Sequence, residues 1–174
     1  MSSAVFTTGN QAYQVAKIVY AGPVGEIPAE RRRNGSTHSF KVITPTGATF
    51  CYYKDVDAAR KARGALTGML ETLKPNGYTR GNEYLDPTRV VSFSNVMQFK
   101  KPIEECTHGC VVSVETADER NREVWMRFKS EDHARKSRKA LWAILHAVNG
   151  LQKAKDNADE GEPVTAVASD ACPF

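Results

Sequence analysis

KDVDAARKARGAL, residues 54–66, returns as KSEDHARKSRKAL at residues 129–141, with eight of thirteen positions identical at a constant offset of 75. Such a match within one chain marks a duplicated unit. Asp55 and Ser130 open the two copies with short side-chain oxygens that accept an orphan helix N–H. The helices they start should run over roughly 56–73 and 131–149. Ala59, Ala62, Leu66, Met69, Leu70 and Leu73 recur at helical spacing in one, and Ala134, Leu141, Ile144, Leu145 and Val148 in the other. Each apolar stripe is expected to pack on a sheet.

Upstream, the order of elements persists while identity fades. An extended stretch near 13–20 answers 89–99, HSFKVIT (38–44) answers GCVVSVET (109–116), and ATFCYYK (48–54) answers EVWMRFK (123–129). PTGA (45–48) signals a tight hairpin, and ADERNRE (117–123) is its longer polar counterpart. The chain therefore reads as two βββα units, repeat one over about 11–74 and repeat two over about 88–150, joined by PNGYTRGNEYLDP (75–87). The expected class is α+β, an antiparallel sheet with helices packed on one face. Residues 151–174 are expected to form a disordered acidic tail.

A 174-residue chain with 41% hydrophobic and 25% charged residues suits one globular body over residues 1–150. No apolar run approaches the roughly 18 to 20 residues of a membrane helix, and the first residues lack the basic and apolar regions of a signal peptide. A cytoplasmic protein with reduced cysteines is expected. The net charge of +4 is unevenly spread: residues 156–174 hold five acids and no Lys or Arg, which leaves residues 1–155 at +9. A basic body with an acidic tail suits a protein that meets nucleic acid.

Strand alternation assigns the faces. On one face of the third strand Thr49 corresponds to Val124, Cys51 to Met126 and Tyr53 to Phe128; on the other Phe50 corresponds to Trp125, Tyr52 to Arg127 and Lys54 to Lys129. The second set mixes rings with cations, as single-stranded nucleic acid requires. Bases stack on rings for about 1–3 kcal/mol each whatever their identity, while the cations meet phosphates. With the faces reversed, or covered by a second sheet, Phe50 and Trp125 would be core instead. Arg31, Arg32 and Arg33 in EIPAERRRNGSTHS (26–39), and Lys100 and Lys101 at the start of the corresponding connection, would neutralise phosphates rather than read bases. The helical clusters Arg60, Lys61, Arg63 and Arg135, Lys136, Arg138 read mainly as a solvated face.

CTHGC (106–110) gathers Cys106, His108 and Cys110, the ligand types zinc prefers, but a closed site would need a fourth ligand such as His38. The spacing is not that of a standard knuckle, so a plain hairpin loop is expected, with no metal and no cofactor. No phosphate-binding loop, dinucleotide fingerprint or nuclease-like pair of carboxylates is present, and a non-enzymatic protein is expected.

The closing SDACPF (169–174) resembles the tail tip of bacterial and phage single-stranded DNA-binding proteins, with Asp170, Cys172, Pro173 and Phe174 in the acidic, apolar and terminal Pro-Phe places. It departs from that pattern in its single aspartate and in Ala171. The resemblance implies a tip that docks replication or repair proteins, the phenyl ring in an apolar pocket and the carboxylates on basic side chains. The body does not resemble that family's OB barrel. Its duplicated order is instead similar in topology to the Whirly and PUR-type single-strand binders, which implies binding on a sheet surface.

The leading expectation is a sequence-tolerant single-stranded DNA-binding protein of the kind phages and plasmids encode. A protein-interaction or inhibitor module, such as a small phage factor, would use the same exposed rings. RNA binding would use the same sheet, and unpaired sheet edges leave a homo-oligomer open.

Overall fold

Asp55 accepts a hydrogen bond from the Ala58 amide at 2.7 Å and starts helix α1, Val56–Leu73. Ser130 accepts from the His133 amide at 3.4 Å and starts α2, Glu131–Asp159. The computed structural model that shows these caps describes residues 4–9 and 11–159. Twelve strands lie among the described residues. The first half holds β1 (Val5–Thr8), β2 (Gln11–Gln14), β3 (Tyr20–Ala21), β4 (Gly25–Glu26), β5 (His38–Thr44) and β6 (Gly47–Tyr53), then α1. The second holds β7 (Tyr78–Arg80), β8 (Glu83–Leu85), β9 (Val90–Phe93), β10 (Met97–Ile103), β11 (Cys106–Val114) and β12 (Glu123–Phe128), then α2. Every pairing is antiparallel, and the fold is α+β.

The two halves repeat not only in element order but in register. Phe6 faces Tyr13 across the β1–β2 hairpin as Tyr78 faces Leu85 across β7–β8, an offset of 72. Gly9 and Gly81 turn those hairpins at φ 53° and 54°, where a Cβ would be strained. A 3₁₀ turn follows in each, Val15–Lys17 and Pro87–Arg89. Gly25 then pairs with Ser39 as Met97 pairs with Gly109, and Phe40 with Cys51 as Cys110 with Met126. The repeated unit is therefore longer than βββα. Residues 75–87, expected to be a connector, instead supply the opening hairpin of the second unit, because Tyr78, Tyr84 and Leu85 are apolar anchors on either side of a Gly-Asn turn.

That hairpin also stitches the halves together. Strand β8 pairs with β3, Tyr20 opposite Leu85, so the first sheet runs β6-β5-β3-β8-β7, with β4 also on β5. The second sheet is β10-β11-β12, with β9 also on β11. Helix α1 buries Leu66 and Leu70 against Phe40, Val42 and Cys51, together with Phe6 and Tyr13 of the first hairpin. Helix α2 buries Ala134 and Leu141 against Cys110, Val112 and Met126, in a cluster that also takes Val19, Tyr20 and Ile43 from the first half.

Two readings of the helices are corrected. Helix α2 continues beyond 149 to Asp159, where the sequence LQKAKDNAD holds helix formers and no proline. Arg63, expected on a solvated face, is 1% exposed. Its Nε donates to Gly22 O and its Nη2 to Ala21 O, both at 2.8 Å, and Nη1 to Thr67 Oγ1, so the guanidinium ties the carbonyls at the end of β3 to α1. Burial pulls its pKa down to about 10. Arg138 repeats the role less deeply, with Nε donating to Ser94 O at 3.1 Å.

Candidate nucleic-acid interface

Period-2 alternation sends Cys51 of β6 and Val124, Met126 and Phe128 of β12 inward to the helices. The alternate residues face outward: Phe50 is 43% exposed, Tyr52 58% and Trp125 44%. The Phe50 and Tyr52 rings lie 6.3 Å apart, tilted by 34°, with Arg127 exposed at the position in β12 that matches Tyr52. Lys54 and Lys129 follow just beyond the strand ends, both exposed. The face is bounded toward the β5–β6 turn, where Ile43 is buried in the core shared by the halves and Ala48 packs against it.

Three outward residues escaped the sequence reading. Phe99 of β10 packs its ring 5.8 Å from Trp125, across Gly109 of β11. A Cβ at Gly109 would lie 2.5 Å from the Phe99 ring and 2.9 Å from Met126 O, so only glycine admits that ring. A glycine inside a strand pattern was the available signal. Met97, opposite Gly109, extends the same apolar strip and is exposed. Lys41 of β5 sits opposite Phe50; burial lowers its pKa, an effect the Asp118 carboxylate opposes. Lys100 and Lys101, expected in a loop, are exposed positions within β10, because that strand runs to Ile103 before turning.

The two halves differ where their cations stand. The β10–β11 turn is two residues, Glu104 and Glu105, both with positive φ at 50° and 64°. Glu104 accepts from Arg127 at 3.2 Å and Glu105 from Lys129 at 2.6 Å, which lowers the Glu105 pKa through that bond and raises that of Lys129. The corresponding connection in the first half is the longer segment between β4 and β5. There Arg32 is turned back on the loop itself, Nε to Ile27 O at 3.0 Å and Nη2 to Glu26 at 2.6 Å. Arg31 and Arg33 instead line a groove of about 550 Å³ with Tyr52. Neither they nor Lys54 forms an ion pair among the described residues.

Compared with protein-family models, curated proteins and solved structures, the chain finds no match.

Thr37 and Thr107 account for the repeated Thr-His dipeptides, one of which lies inside CTHGC. Thr37 Oγ1 donates to Lys54 O at 2.6 Å and lies 2.9 Å from His38 Nδ1; Thr107 Oγ1 donates to Lys129 O at 2.8 Å and lies 2.9 Å from His108 Nδ1. A hydroxyl has one proton, so with it given to the carbonyl, the threonine oxygen presents its lone pairs to Nδ1 in both halves. Each threonine thereby ties the end of the ring-bearing strand to its neighbour. Cys110 points into the core and burial raises its pKa, and no three His, Cys, Asp or Glu side chains converge on a metal position among the described residues.

A larger concavity of about 970 Å³ lies where the halves meet, lined by Lys17 and its counterpart Arg89. Two of its cations are already committed, Lys74 to Asp86 at 2.7 Å and Arg89 to Glu115 at 2.6 Å. Among the described residues no helix is long and apolar enough to cross a membrane. The tail positions Asp170, Cys172, Pro173 and Phe174 lie outside the described residues.

Proposed function

We propose that the protein binds single-stranded DNA without strong sequence preference on the outward faces of its two larger sheets. The observation that carries this reading is the exposure of Phe50, Tyr52 and Trp125 on strands whose adjacent outward positions hold Lys41, Lys54, Arg127 and Lys129. Large rings left this exposed beside cations are used only in part by the chain's own packing. They match a ligand with flat bases and a phosphate backbone. Recruitment of replication or repair proteins is the role proposed for the Pro-Phe tip, on the resemblance of that tip alone.

Trp142, 51% exposed on α2 and 5.4 Å from the Phe93 ring, is the second tryptophan, so the test uses Trp142→Phe protein, in which Trp125 is the sole reporter. Oligo-dT should quench its fluorescence, and affinity should fall with salt by about 0.7 log unit per log unit for each phosphate neutralised. Trp125→Ala should weaken binding by roughly 1–3 kcal/mol, a factor of about 5 to 150. Absence of quenching together with a flat salt response would overturn the reading. Matched RNA and double-stranded competitors fix the ligand class: equal competition by RNA would widen the assignment to single strands generally.

A further inference from the structure

The first half contains a concave site built on a loop that the second half lacks. Its walls are Arg31, Arg33, Asn34, Ser36 and Tyr52, with Glu30 as the acidic lining residue. The loop that forms it is tied down along its length. Ala29–Arg31 is a 3₁₀ turn, Ser36 N bonds to Arg33 O at 3.0 Å, and Asn34 and Gly35 take the positive φ values, 53° and 73°, that Asn-Gly suits. Thr37 N bonds to Tyr53 O at 2.9 Å and Ile27 N to Thr37 O at 2.8 Å, which fixes the loop base against β6. Arg32 braces the loop from behind. Two guanidinium groups against one carboxylate leave the groove cationic, beside an exposed phenol ring.

We propose that this groove is a nucleotide subsite, in which a base stacks on Tyr52 and a phosphate is held by Arg31 and Arg33. The planar guanidinium fork matches phosphate oxygens two at a time, and the groove volume falls in the ordinary range of small-ligand sites, roughly 300–1,000 Å³. In the second half a two-residue turn replaces the loop and Arg127 replaces the tyrosine, so neither wall exists there. The chain therefore takes one such nucleotide, not two. The inference deepens the strand-binding reading, and the phosphate could belong either to a strand or to a free mononucleotide.

The test titrates full-length Trp142→Phe protein with dTMP, thymidine, inorganic phosphate and oligo-dT, following Tyr52 by NMR for the small ligands and Trp125 fluorescence for the strand. One dTMP should bind per chain, at least tenfold more tightly than thymidine or phosphate. Arg31→Ala with Arg33→Ala should bring dTMP down to the thymidine level, leave the unfolding temperature unchanged, and flatten the oligo-dT salt slope by about 1.4 for two lost phosphate contacts. If dTMP binds no better than phosphate, or the double variant changes nothing while oligo-dT still quenches Trp125, the groove inference falls and the sheet reading stands. Tight dTMP binding without any oligo-dT quenching would do the reverse, leaving a free-nucleotide site and no strand surface.

Discussion

Two buried tyrosines show how a single hydroxyl changes sign with its surroundings. Tyr20 donates to Glu83 at 3.0 Å inside the protein, whereas the hydroxyl of Tyr84, equally buried, is the one buried side-chain polar atom among the described residues that lacks a partner. Tyr20→Phe should cost about 1–3 kcal/mol by leaving Glu83 short of a donor, and Tyr84→Phe should be neutral or stabilising by up to about 1 kcal/mol, both read from urea unfolding. Equal losses would contradict the hydrogen-bond assignment. Cys51 sets a second expectation. Burial raises its thiol pKa from the usual 9 to about 11, so the thiol form favours the folded state. That stabilisation is complete below pH 9 and is lost as pH rises through 11, because the unfolded chain gives up the proton first. Urea midpoints should drop across pH 9–11 in the wild type and drop less in Cys51→Ala, measured against each protein's own value at pH 8. Residue-scale roles were the least legible in the sequence. Arg63 looked like one more cation of a basic run, and only two carbonyls brought from 41 and 42 residues away explain its burial.

Elements long enough to show a period were legible, and short ones were not. The seven residues of β6 and six of β12 contain full alternations, so their outward rings could be read directly. Strands β7 and β8 have three residues each, too few for a period, and the Thr-x-Gly-Asn that they share with the first hairpin was the only sequence trace of the longer unit. The β10–β11 turn poses the next question at this scale. Glu104 and Glu105 hold left-handed conformations that cost non-glycine residues about 1–2 kcal/mol, whereas Asn34 and Gly35 occupy the same pair of conformations with the residues that suit them. Ion pairs to Arg127 and Lys129, this exposed and screened by water and salt, offset little of that. Replacing Glu104-Glu105 by Asn-Gly should therefore raise the unfolding temperature by a few degrees while freeing two cations on the outward face. Oligo-dT should then bind more tightly, with a salt slope steeper by up to about 1.4. A more stable variant with unchanged affinity and slope would show that strands do not reach these two cations.

At the scale of the molecule, the two halves make one folding unit rather than two beads. The second half lends β8 to the first sheet, Thr116 Oγ1 donates to Thr44 O at 3.0 Å, and Ala117 N donates to Pro45 O at 2.8 Å where the two hairpin ends meet. The cluster under α2 is completed by Val19, Tyr20 and Ile43 from the other half. A half without its partner would expose those side chains together with the unpaired edge of β3. Cooperative unfolding follows, and the protein's tryptophans make it measurable, since both Trp125 and Trp142 lie in the second half. Leu66, fully buried on the inner face of α1 in the first half, is far from both in sequence and belongs to the other cluster. Leu66→Ala should cost about 2–5 kcal/mol. Tryptophan fluorescence and far-UV circular dichroism should still report a single shared midpoint, lowered equally in both. Independent halves would instead leave the fluorescence transition near its wild-type position while the dichroism transition split in two.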